Sequence, residues 1–164
     1  MISVKINNLK NFTSHLLVQE TFSQFLLVEA QICTHSVFTI SGKRNESYFA
    51  ASEDENTTTT EYNSWGVLRP ICYEIIKGKS LPTYFKFVLK AHPDTVTTLL
   101  ENLPDFLERD IDGLFINIRY DNGSLTITTG TSLKIFTLDK SLDKAFDSYC
   151  LNFLESCGID FSFC

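Results

Sequence analysis

The sequence predicts one α+β domain, in which an antiparallel sheet packed by helices is built from a duplicated strand–helix–hairpin unit. Two observations carry the duplication. Residues 25–42 align with residues 113–130 without a gap, so that Leu26, Val28, Ala30 and Ile32 fall on Leu114, Ile116, Ile118 and Tyr120. Ser36, Val37 and Gly42 fall on Ser124, Leu125 and Gly130 in the same alignment. Upstream of each hairpin stand a strand pattern and a helix pattern, with Ile2, Val4 and Ile6 answering to Phe85, Phe87 and Leu89. A third observation sets the domain count: 164 residues suit a single core, with pseudo-repeats over about residues 1–81 and 82–164.

In chain order, Ile2, Val4 and Ile6 alternate as the first strand. The first helix is expected over about residues 8–18, with Asn7 or Asn8 as its cap. The first hairpin turns at Thr34-His35, a poorer turn than its counterpart, so its loop is expected to be longer or distorted. Residues 43–62 are polar, acidic and threonine-rich (Thr57 to Thr60), which is the composition of a mobile loop. Residues 63–77 read as a helix closed by Gly78, with Pro70 bending it or delaying its start. The copies meet near Leu81.

The second copy opens with the strand of Phe85, Phe87 and Leu89, then a helix starting near Pro93 with Asp94 in its first turn. Leu99-Leu100 matches Leu16-Leu17, and about five residues are inserted between this helix and its hairpin. The hairpin turns at Asn122-Gly123, because both central residues of a type I′ turn need positive φ. That turn pairs Tyr120 with Leu125 and Ile118 with Ile127. Leu133, Lys134, Ile135 and Phe136 suggest a further strand, and residues 139–157 a last helix ended by Gly158.

Composition bounds the function. Phe occurs 14 times against one Trp and one Met, which predicts a Phe-rich core. A net charge of −6 argues against broad affinity for nucleic acid or membranes, since both need fields of Lys and Arg. The chain opens on Met1-Ile2-Ser3-Val4-Lys5-Ile6, without the pattern of a signal peptide, and no run approaches the ~20 apolar residues of a membrane helix. Five cysteines, an odd number with no CxxC pair, read as reduced thiols. A cytoplasmic protein is expected, in which sequons such as Asn122-Gly123-Ser124 carry no meaning.

No catalytic, cofactor or metal residue is assigned. Gly78-Lys79-Ser80 imitates the end of a P-loop, but Tyr73 stands where the first glycine belongs, and the segment closes a helix instead of opening one. His15, His35 and His92 are far apart, and no HxH or HExxH spacing occurs. Cys33 and His35 flank a turn, where each points as the turn directs. The carboxylates sit in loops and on helix surfaces (Glu53-Asp54-Glu55, Asp94, Glu101, Asp105 and Glu108), as solvated faces do.

The charge layout says more. Residues 64–92 hold five basic side chains against one acidic, and residues 93–112 one basic against six acidic. Lys86, Lys90, Asn117, Arg119, Thr126 and Thr128 project opposite to the apolar positions, with Glu29 and Gln31 at the matching places in the first copy. Such a face is either the ordinary solvent side of a sheet or a contact surface. The residues assigned to anion or partner contact are Arg69, Lys77, Lys79, Lys86, Lys90, Arg119 and Lys134.

Three runs carry a family resemblance: Trp65-Gly66-Val67-Leu68-Arg69-Pro70, Ile75-Ile76-Lys77-Gly78-Lys79, and Gly130-Thr131-Ser132-Leu133-Lys134-Ile135-Phe136-Thr137-Leu138-Asp139-Lys140-Ser141-Leu142. With them the chain resembles an uncharacterised domain-of-unknown-function family of clostridial gut bacteria. The resemblance implies a cytoplasmic bacterial protein and supplies no activity. In topology alone, a doubled strand–helix–hairpin unit is similar to a domain of a DNA sliding clamp, and less closely to the TATA-binding saddle. The clamp's DNA-facing helices need Lys and Arg, whereas the second helix here carries Asp94, Glu101 and Asp105.

A non-catalytic binding module is the leading expectation. Its rivals are a binder or enzyme for a phosphorylated or carboxylated compound, using Arg69, Lys86, Arg119 and Lys134, and a nucleic-acid accessory protein. The partner expected is a protein or a small anion, with neither membrane nor nucleic acid.

Overall fold

The computed structural model describes residues 1–51 and 60–164, so Glu53-Asp54-Glu55 and Thr57 to Thr59 of the expected mobile loop lie outside the described residues. Its first part runs β1 (Ser3–Ile6), α1 (Leu9–Leu17), β2 (Leu26–Cys33), β3 (Val37–Ser41), α2 (Glu46–Ala50) and α3 (Trp65–Ile76). Then follow β4 (Tyr84–Lys90), α4 (Pro93–Leu100), a 3-10 turn (Glu108–Asp110), β5 (Ile111–Asp121), β6 (Ser124–Leu133), α5 (Ser141–Ser156) and β7 (Phe161–Phe163). The strands form one seven-stranded sheet in the order β3-β2-β4-β5-β6-β1-β7. Every pairing is antiparallel, so the fold class is α+β.

Local chemistry explains several boundaries. Asn8 caps α1, its side chain accepting the Asn11 N–H at 3.0 Å. Pro93 opens α4, where its missing N–H is no loss, and the His92 ring accepts the Asp94 N–H at 3.2 Å. At the β5–β6 turn Asn122 has φ 44° and Gly123 φ 91°, and Tyr120 and Ile118 face Leu125 and Ile127. Pro70 neither delays nor ends α3, which starts at Trp65 and loses only the bond that the Gly66 carbonyl would accept.

The first hairpin departs from its copy. Cys33 pairs with Val37, so three residues make the loop where two make it in the second hairpin. One extra residue turns β3 over. Val37 and Thr39 are exposed where Leu125 and Ile127 are buried, and Phe38 and Ile40 pack against the core instead. β2 compensates at its other end, where a bulge between Leu27 and Glu29 sets Leu27 in the core.

Three elements differ from expectation. The expected strand around residues 133–136 does not form, and Leu133 ends β6 instead: Lys134 donates its N–H to the Asp110 carbonyl at 2.8 Å, and beyond that point β5 has no residues left to pair. The short helix α2 lies within the expected loop, and β7 pairs with β1 at the far edge.

The element order repeats, but the sheet does not. β4 lies between β2 and β5, whereas β1 lies between β6 and β7. A two-fold repeat would place β1 beside β2, so the likeness to a clamp rests on element order alone.

The helices bury one sheet face. Trp65, Phe12, Phe22, Phe25, Phe87 and Phe146 are among the largest fully buried side chains, as the Phe count predicts. The Trp65 ring lies 4.9 Å from that of Phe87 and donates its N–H to the Leu16 carbonyl at 2.8 Å, which ties α3 to α1 over the sheet.

Candidate functional site: the open face of the sheet

Alternation along each strand dictates what the uncovered face presents. In β4 Phe85, Phe87 and Leu89 point into the core, leaving Tyr84, Lys86, Val88 and Lys90 on the other side. Register then builds rows across the strands. Gln31, Lys86, Arg119, Thr126 and Lys5 are successive neighbours in one row. Glu29, Val88, Asn117, Thr128 and Ser3 form the next.

Lys86 stands directly across from Arg119, a like-charged pair that weakens the sheet locally. Arg119 bonds the Asp121 carboxylate at 3.0 Å, and its guanidinium lies 5.6 Å from the Tyr84 ring. Lys90 sits between two rings, 5.7 Å from Tyr62 and 5.9 Å from Phe115. Burial, then the charges of Glu61 and Asp112, raise the Tyr62 hydroxyl above its ordinary pKa. Among the described residues no carboxylate pairs with Lys86 or Lys5.

The family model described as "Family of unknown function (DUF5721)" matches residues 15–162. The chain belongs to this family. No curated protein and no solved structure matches it. The match runs from the last turn of α1 into β7, and so takes in every strand of the sheet except β1.

The seven basic residues assigned from this DUF5721 sequence do not come together. Lys86, Lys90 and Arg119 share the open face. Arg69 lies on α3, in the opposite layer, with a side chain only 11% exposed. It donates to the Gln19 carbonyl, to Ser23 Oγ at 3.1 Å and to the Glu20 carboxylate at 2.7 Å. That bond to Arg69, helped by Ser23, holds the Glu20 carboxyl below its ordinary pKa. Arg69 therefore fastens the loop after α1 to α3. Lys77 ends α3 and pairs with Glu74 at 2.8 Å, which raises its pKa. Lys79 and Lys134 are exposed beyond α3 and β6. Arg69, Lys86, Arg119 and Lys134, the set that the small-anion reading would use, thus do not converge.

Sequence reasoning missed Lys5, which joins the basic row from β1. Its alternation with Val4 and Ile6 was visible, but its partner strand was not. The Cys33–His35 pair is not built: His35 bonds Ser36 Oγ at 3.1 Å and packs its ring on Phe38. Among the described residues no group of three His, Cys, Asp or Glu side chains could hold a metal, and no helix is long and apolar enough to cross a membrane.

Proposed function

We propose that this DUF5721 chain is a non-catalytic binding module of the bacterial cytoplasm, and that its open sheet face takes an acidic polypeptide segment. The row of Lys86, Arg119 and Lys5 carries this reading. With strands about 4.8 Å apart, the row spans roughly 15 Å, a reach that suits several carboxylates of one extended segment. Among the described residues, a protein of net charge −6 gathers these cations on a face that no helix covers, and leaves two of them unpaired. Five free cysteines, two of them buried, support a reducing compartment.

The test is a nuclear magnetic resonance titration of the 15N-labelled chain with a short poly-glutamate peptide, inorganic phosphate and a single-stranded oligonucleotide. The peptide is expected to move the amides of Lys86, Asn117, Arg119 and Thr126, and the K86Q/R119Q double variant to abolish the effect. No movement, or movement confined to the helix layer, overturns the proposal. An oligonucleotide that moves the same amides more strongly, with a steep salt dependence, replaces it with a nucleic-acid reading in which Tyr84 and Phe115 stack bases.

A further inference from the structure

A second surface stands apart from the open face, at the β3 edge of the sheet. The Gly42 N–H donates to the Val28 carbonyl at 3.0 Å and the Thr34 N–H to the Ser36 carbonyl at 3.0 Å. Continued along the register, this ladder turns the backbone groups of Phe38 and Ile40 toward β2. The N–H and C=O groups of Val37, Thr39 and Ser41 therefore point outward. Edge strands are normally blunted by charge, proline or a bulge. β3 reads Val-Phe-Thr-Ile-Ser and has none of these.

The helix packed on the neighbouring strand β2 is apolar on its outer flank. α3 packs on β2 and on α1. Its Gly66 and Arg69 side meets the loop after α1, where a Cβ on Gly66 would lie 3.1 Å from that of Ser23. The flank turned away from α1 carries Val67, Ile71 and Ile75 at helical spacing. Val67 is 62% exposed and Ile71 52%, where the outermost flank of a layer is ordinarily polar.

We propose that this edge joins two copies of the chain. An antiparallel edge is its own complement: about a two-fold axis at Thr39, Val37 meets Ser41 of the second copy and Thr39 meets Thr39, each with outward backbone groups. Phe38 then stands across from Ile40 of the second copy, and the two α3 flanks close over the joint. Charge favours the same occupant. Two chains of net charge −6 repel over most of their surfaces, but β3 brings no charge to the contact, and Glu74 beside the α3 flank is paired with Lys77 of its own chain. A strip about 17 Å long buries on the order of 500 Å² per copy, the scale of a weak, concentration-dependent dimer. The two sheets become continuous, and their open faces lie side by side.

Sedimentation velocity of the full chain, from about 5 to about 500 µM, tests this. The wild type is expected to pass from monomer to dimer across that range. Thr39→Pro removes an N–H that no described strand of the same copy uses, and Ile71→Lys sets two like charges across the axis. Both variants are expected to keep the wild-type circular dichroism and to stay monomeric at the highest concentration. A wild type that is monomeric throughout, one that forms species larger than a dimer, or a dimer that survives either substitution overturns the proposal.

Discussion

Arg69 shows what a charge in a sequence does and does not declare. Its residue type marked it for contact with an anion, yet its guanidinium is spent on Gln19, Ser23 and Glu20 of the same chain. Those partners lie about 50 positions earlier, at a distance that no local pattern reports. Arg69→Met should lower stability by about 1–3 kcal/mol in urea unfolding, by removing the bonds to the Gln19 carbonyl, Ser23 and the Glu20 carboxylate together. Glycine gives a second contrast. Gly42 and Gly130 were aligned as equivalents, but a Cβ on Gly42 would lie 1.7 Å from the Leu27 carbonyl oxygen, while Gly130 has open space. Gly42→Ala should cost about 3 kcal/mol or more, and Gly130→Ala under about 1, as read by thermal unfolding. The buried thiols add a pH dependence. Burial pushes the Cys72 pKa up to about 12, and burial with the Asp147 charge raises that of Cys150 also. A pKa raised by folding contributes its stability in full below the unfolded thiol's value of ~8.5 and loses it as pH rises past that value. The urea midpoint should therefore hold near neutrality and fall above about pH 9, less steeply in a C72A/C150A variant.

Among the elements, legibility followed how local each cause was. The second hairpin was readable because Asn122 and Gly123 meet a φ requirement within two residues. The caps at Asn8 and Pro93 were readable for the same reason. β3 existed as expected, but its facing was not legible, since one extra loop residue exchanges Val37 and Thr39 for Phe38 and Ile40. Replacing residues 34–36 with Asn-Gly should therefore destabilise the protein by about 1–3 kcal/mol, although Asn-Gly is the better turn. It would send Phe38 and Ile40 out to the open face, and urea denaturation would show the loss. The strand pattern of Ile2, Val4 and Ile6 was plain, yet nothing in it named β6 as the neighbour. Three residues, Phe161–Phe163, are too few for a period to identify β7.

For the whole molecule, the open face separates binding from stability. The K86Q/R119Q variant removes like charges held directly across one another, so its melting temperature should stay level or rise while acidic-peptide binding disappears. A surface kept only for folding would show the opposite. The sheet order has a consequence of another kind, in time. Val4 pairs with Ile127, so β1 waits for a strand made more than 100 residues later. At about 5–20 residues per second, the ribosome keeps β1 unpaired for several seconds. A nascent chain stalled before β6 therefore displays Val4 and Ile6 to chaperones and proteases, which makes β1 a mark of unfinished synthesis.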